Sequence, residues 1–263
     1  MPCEVHETDS HTLVTIPCLS DNYAFLLRDK SSGDVALIDV PEADPILHEL
    51  DARGWKLSQI WLTHHHFDHV DGLPALLKQQ QAPVYGAKAD AERLPDLDVA
   101  LADGESFAFG ENDIDVLDVS GHTIGHIAFY APAAGMAFTA DSLMALGCGR
   151  LFEGTPAQMW DSLSKMSDWP DETLICSGHE YTASNAKFAL TVDPDNAALQ
   201  ARSDAIRAAR EAGRFTVPSR MGEERATNPF LRPQDATIRA GLGMQDATDA
   251  EVFGEIRARK DNF

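Results

Sequence analysis

The sequence predicts an α/β domain followed by a smaller α-helical one, divided as residues 1–179 and 180–263. Three observations predict it. Short apolar runs of strand length alternate with turns through the first two-thirds of the chain. After residue 180 the spacing turns helical. Several of the apolar runs end in small residues followed by His or Asp, the place where α/β active sites gather.

In chain order, residues 12–16, 23–27 and 35–40 read as strands, the last two separated by a Ser31-Ser32-Gly33-Asp34 turn. Residues 45–53 carry helical apolar spacing through Ile46, Leu47 and Leu50, with Gly54 placed to end the helix. A strand is expected over 59–63 and a helix over 73–81, with Pro74 in its first turn. A second strand series follows at 83–85, 106–109, 114–119, 127–130 and 136–139. Thr155-Pro156 opens a helix as N-cap and first helical residue, and 174–176 is the last strand. Residues 183–190, 196–211 and 248–259 read as helices, the last begun by a Thr248-x-x-Glu251 capping box. There is no repeat and no low-complexity linker.

The 263-residue chain has a formal charge of −21, which argues against a nucleic-acid partner. Residues 200–263 hold 11 Lys/Arg against 10 Asp/Glu, so basic side chains concentrate at the C-terminal end. No apolar run approaches the roughly 20 residues that span a bilayer, so no membrane partner is expected. The polar, acidic N-terminus lacks the basic and apolar regions of a secretory signal. Cys3, Cys18, Cys148 and Cys176 form no CxxC pair and read as reduced thiols of a cytoplasmic protein.

The chemistry centres on Thr63-His64-His65-His66-Phe67-Asp68-His69, directly after the apolar run 59–62. Residues i and i+2 of an extended chain point to one side, so His64 and His66 can converge while His65 points away. Asp68 and His69 then turn toward a second centre. Three later strand ends supply His122, Asp141 and His179, each preceded by small residues that allow close backbone approach. His126 reads as structural or supporting. Asp39, ending an apolar run, either hydrogen-bonds a ligating histidine or caps the strand, and Asp71 is similar. Seven N/O ligands without cysteine suit zinc, iron or manganese and do not resemble a closed structural zinc site.

Together these segments resemble the metallo-β-lactamase superfamily, an αββα sandwich, and within it the glyoxalase II (hydroxyacylglutathione hydrolase) family. Ser20-Asp21-Asn22-Tyr23, the Gly147–Thr155 segment GCGRLFEGT, His179-Glu180-Tyr181-Thr182, Asn228-Pro229-Phe230-Leu231-Arg232 and Arg257-Ala258-Arg259-Lys260-Asp261 carry the closer match. The resemblance implies two divalent metals, zinc foremost, with iron or manganese also suited. His64, His66 and His122 would hold one; Asp68, His69 and His179 the other; Asp141 would bridge them. It implies hydrolysis of S-D-lactoylglutathione to glutathione and D-lactate in methylglyoxal detoxification. A hydroxide held between the metals would be the nucleophile, with Asp68 and Asp141 as the catalytic carboxylates. A departing thiol, with a pKa of about 8.5, needs no side-chain acid.

The resemblance further implies that Arg150, Phe152, Tyr181, Arg257 and Lys260 bind the glutathione moiety. Phe152 departs from the tyrosine of many relatives and has no hydroxyl to donate. Arg150 stands where some relatives have lysine, with a different donor geometry. The alternative within the superfamily is another enzyme such as a mono-iron persulfide dioxygenase, against which the fuller ligand set counts. The expected partner is thus a small-molecule thioester, met by a monomer.

Overall fold

The computed structural model describes residues 3–263. They form two compact units, one from residues 3–118 and Gly125–Thr139, the other from Val119–Ile124 and Ala140–Phe263.

The first unit holds a seven-stranded sheet in chain order: β1 (Glu4–Glu7), β2 (His11–Cys18), β3 (Asn22–Asp29), β4 (Val35–Ile38), β5 (Gln59–Trp61), β6 (Val84–Ala87) and β7 (Val99–Leu101). Pairing is antiparallel from β1 to β4 and parallel from β4 to β7. Helix α1 (Ala43–Arg53) makes the first parallel crossover. It buries Ala43, Ile46, Leu47 and Leu50, and stops at Gly54, whose left-handed φ of 65° a side chain would disfavour. Two four-residue helices follow β5, α2 (Phe67–Val70) and α3 (Leu73–Leu76).

A second layer in the same unit is the antiparallel series β8 (Ser106–Phe109), β9 (Asn112–Asp118), β10 (Ile127–Ala131) and β11 (Met136–Ala140). Trp61 joins the layers. Its fully buried indole meets Phe107 and Phe109 edge-on at 5.2 and 5.3 Å, Phe129 at 5.4 Å and Phe138 at 6.1 Å. The strand carrying Trp61 therefore cannot shift, and the His/Asp motif begins two residues after it.

The second unit contains the short hairpin β12 (Leu143–Met144) and β13 (Gly147–Cys148), then α4 (Pro156–Lys165), β14 (Leu174–Ser177), α5 (Thr182–Val192), α6 (Ala197–Glu211), β15 (Ser219–Arg220), α7 (Met221–Thr227), α8 (Ala236–Leu242) and α9 (Asp249–Asp261). The Thr155/Gln158 and Thr248/Glu251 capping boxes both form. Leu146, Ala186, Ala189, Leu199 and Ile206 make one apolar cluster between α5 and α6.

The helix expected over 73–81 ends at Leu76. Beyond it the chain makes turns, with Gln79 and Gln80 N–H groups both donating to the Leu76 carbonyl. Lys78, Gln79 and Gln80 offer no apolar face to bury, and Pro83 disfavours helix at the residue before it. Strands β1, β7, β12, β13 and β15 and helices α2, α7 and α8 are not among the elements expected from the sequence. Among the described residues no helix is long and apolar enough to cross a membrane.

Candidate metal centre

In the first unit the motif leaves β5 in extended conformation. His66, with φ −60° and ψ 140°, is the N-cap of α2. As the alternation requires, His64 and His66 turn to the same side: His64 Nε2 stands 3.2 Å from His66 Nδ1. Zinc-type ions bond imidazole nitrogen at roughly 2.0–2.1 Å, so two donors on one tetrahedral ion lie about 3.3–3.4 Å apart. The pair fits such an ion.

The ring orientations trace back to Asp39. Its Oδ2 accepts from His69 Nδ1 at 2.8 Å, and from Thr63 Oγ1 at 2.8 Å. Thr63 Oγ1 in turn accepts from His64 Nδ1 at 3.0 Å, while Asp39 Oδ1 takes the Thr63 N–H at 2.9 Å. Protons fixed on Nδ1 of both histidines leave Nε2 lone pairs for a metal. Asp39, His64 and His69 also cluster closely enough to be read as a ligand trio. The hydrogen bonds assign Asp39 a different part: its oxygens orient the candidate ligands His64 and His69. Of the two sequence readings for Asp39, the histidine partner is the one observed. Its left-handed φ of 57° is a strained position that Asp tolerates better than most residues.

Asn22, inside the quoted SDNY segment, holds Asp68 by donating Nδ2 to both its carbonyl and its Oδ2 at 3.0 Å. His65 points away and its Nδ1 lies 2.8 Å from Asp90 Oδ2, as a non-ligand should. His126 is buried and stacks on the His64 ring at 4.5 Å. Thr63 and Asn22 are the supporting residues the sequence left without a role. Only Thr63's place directly before the motif hinted at one.

In the second unit Asp141 is the hub. Its Oδ2 lies 3.4 Å from His122 Nε2 and 3.3 Å from His179 Nε2, again the separation of donors that share an ion. His122 Nδ1 donates to the Arg150 carbonyl at 2.7 Å, which leaves Nε2 unprotonated. Asp141 follows Ala140, whose φ of 40° is left-handed without being glycine. Glycines close the site. A Cβ on Gly149 would lie 1.9 Å from the Asp141 carbonyl oxygen and 3.0 Å from His122 Nδ1. These His/Asp sets are suited to divalent metal ions. Cysteine takes no part: burial pushes the Cys148 thiol up to about 11 despite the Arg257 charge, and the Cys18 thiol up to about 12.

The expected substrate residues also lie in the second unit. Phe152, 61% exposed, meets the His122 ring at 5.2 Å, and the Arg150 guanidinium lies over Phe152. Tyr181, 40% exposed, stacks on His179 at 4.7 Å with 5° between planes. Large exposed aromatics seated on candidate ligands have no core to fill. Lys260 Nζ lies over the Phe188 and Phe263 rings and 3.4 Å from Ser184 Oγ. Arg257 differs. It is 6% exposed, donates Nη1 to the Cys148 carbonyl at 2.9 Å and pairs with Asp261 at 2.9 Å.

Fold and site define a class, and comparison with known proteins agrees on it. Residues 20–179 match the metallo-beta-lactamase superfamily, and the crystal structure of ETHE1 from Myxococcus xanthus shares the fold. That likeness has a TM-score of 0.65 at 23% identity, over 98% of this chain and 90% of the other. The chain is thus a metallo-β-lactamase-fold protein that ends in a helical region. Residues 180–263 match the hydroxyacylglutathione hydrolase C-terminus. Curated hydroxyacylglutathione hydrolases of Ruegeria pomeroyi and Roseobacter denitrificans are each 63% identical, over 95% of this chain and 98% of theirs. The chain belongs to the hydroxyacylglutathione hydrolase family.

Proposed function

We propose that the protein is a thioester hydrolase that cleaves S-(2-hydroxyacyl)glutathione, S-D-lactoylglutathione foremost, to glutathione and D-lactate, and so serves methylglyoxal detoxification in the cytoplasm. Two divalent ions, zinc foremost, are assigned to the ligands: His64, His66 and His122 for one, Asp68, His69 and His179 for the other, Asp141 shared. The donor spacings at His64–His66 and around Asp141 support that assignment. When bound, such ions bring the pKa of water toward neutrality and stabilise negative charge on an acyl oxygen.

The observation that carries the reading is that two exposed aromatic side chains sit directly on candidate ligands, with the Arg150 guanidinium over one of them. Tyr181 stacks on His179, and the Arg150–Phe152 segment is tied to His122 by a hydrogen bond and a ring contact. Glutathione carries two carboxylates, which Arg150 and Lys260 are placed to attract on an otherwise acidic chain. Phe152 and Tyr181 offer apolar faces to the peptide, and Asn22 and Asp39 keep Asp68 and His69 in place. The leaving thiolate needs no side-chain acid. Residues 1–179 would thus supply most of the chemistry and 180–263 most of the glutathione recognition, within a monomer.

The test is hydrolysis of S-D-lactoylglutathione by the metal-loaded protein, followed at the thioester absorbance, with metal analysis of the same sample. Turnover with two metals per chain is expected. No turnover would overturn the reading, and one iron per chain without a second metal would favour the persulfide dioxygenase.

A further inference from the structure

The segment Asp141–Phe152 carries the shared carboxylate and two of the substrate residues, yet has little structure of its own. Its hairpin consists of two pairs, Leu143↔Cys148 and Met144↔Gly147, too few to hold a conformation in isolation. At its tip Leu146 is left-handed, with φ 55°, a conformation unfavourable for a residue other than glycine. Something outside the hairpin must impose this shape.

Buried side chains from the helices do so, one backbone group at a time. Glu224 Oε2 accepts the Leu146 N–H at 2.9 Å. Asn228 Nδ2 donates to the Gly147 carbonyl at 3.0 Å and the Met144 carbonyl at 3.2 Å, and lies 3.1 Å from Glu224 Oε2. Asn185 Nδ2 donates to the Ala145 carbonyl at 3.0 Å. It also occupies the space where a Gly147 side chain would begin. Glu224 is completely buried, and its charge is met by Arg202, which also donates to Thr227 Oγ1 at 2.7 Å. A neutral glutamine here would present Arg202 with no charge and could turn a donor toward the Leu146 N–H.

We propose that Glu224 is a positioning residue for glutathione binding: through Leu146 and Asn228 it fixes the hairpin that delivers Arg150 and Phe152. This deepens the thioesterase reading and rests on it for the identity of the substrate. An ion pair that merely ties α6 to α7 would give stability to the fold and leave glutathione affinity alone.

The experiment compares Glu224→Gln and Asn185→Ala with the wild type as full-length, metal-loaded proteins. Glutathione affinity is read by calorimetry, beside KM and kcat for S-D-lactoylglutathione. Both variants should weaken glutathione binding and raise KM on the order of tenfold, with kcat within about twofold and metal content unchanged. Glu224→Gln combined with Arg150→Ala should cost less than the two losses added, because both act through one segment. Wild-type glutathione affinity in both variants, or fully additive losses with Arg150→Ala, would overturn the proposal. Should Glu224→Gln fail to fold, Asn185→Ala decides alone. A wild type that binds glutathione but cleaves no thioester would defeat the activity while leaving the positioning role measurable in the calorimeter.

Discussion

Asp39 Oδ2 accepts the Nδ1 proton of His69 across 2.8 Å, and through Thr63 it also orients His64. One buried carboxylate thus sets two candidate ligands. Asp39→Ala removes both constraints. Loss of such an orienting group typically costs 10–100-fold in metal affinity, about the drop expected here. Chelator competition measures it, and a wild-type affinity would show that the histidines hold their orientation unaided.

Asp141 stands between His122 and His179 at 3.4 and 3.3 Å. Asp141→Ala takes away the shared oxygen while leaving both imidazoles. The expected outcome is a folded protein that has lost metal and about 10³-fold or more in kcat/KM. Near-normal turnover with full metal content would rule out a bridging role.

Gly149 is required for a steric reason independent of charge. An added Cβ would meet the Asp141 carbonyl oxygen at 1.9 Å, so the backbone of one segment must move. Gly149→Ala should destabilise the protein by about 1–3 kcal/mol, the usual cost of overpacking, and lower metal content with it. Thermal unfolding and metal analysis of the same sample test both halves; an unchanged melting point would contradict the clash.

How far the sequence could be read depended on where the information lies. Strands such as β2, β3 and β9 and helices α1, α4 and α9 declare themselves through apolar spacing and caps. β1 does not, because Glu4, His6 and Glu7 are polar; it joins β2 through the backbone ladder and a Thr12 hydroxyl that donates to Glu7 Oε2 at 2.9 Å. The candidate ligand histidines were legible because alternation fixes which way His64, His65 and His66 point. The residues that orient them were not. Asn22 reaches Asp68 across 46 positions, and Glu224 reaches Leu146 across 78, distances over which no local pattern speaks.

Phe152 lies exposed against the His122 ring. A hydroxyl added there would face solvent or substrate rather than core. Phe152→Tyr should therefore lower KM for S-D-lactoylglutathione by roughly 2–10-fold, the worth of one hydrogen bond, with kcat little changed. Equal KM values would mean the ring serves only as an apolar face.

Lys260 gives the proposal a pH dependence. Burial pushes its ammonium below the ordinary lysine range, the neighbouring Arg257 charge adds to that, and Asp261 opposes it. Its positive charge is present below the shifted pKa and is lost as pH rises through it. A substrate carboxylate bound by Lys260 should accordingly be released earlier in the alkaline direction than an ordinary lysine would allow. KM should climb on the alkaline side while kcat stays flatter. Lys260→Met should show a raised KM at neutral pH and no alkaline climb, since the titrating group is gone. Lys260→Arg, charged throughout, should keep a low KM without the climb. If all three proteins share one KM–pH profile, Lys260 does not contact the substrate carboxylate and serves its neighbours Phe188, Phe263 and Ser184 instead.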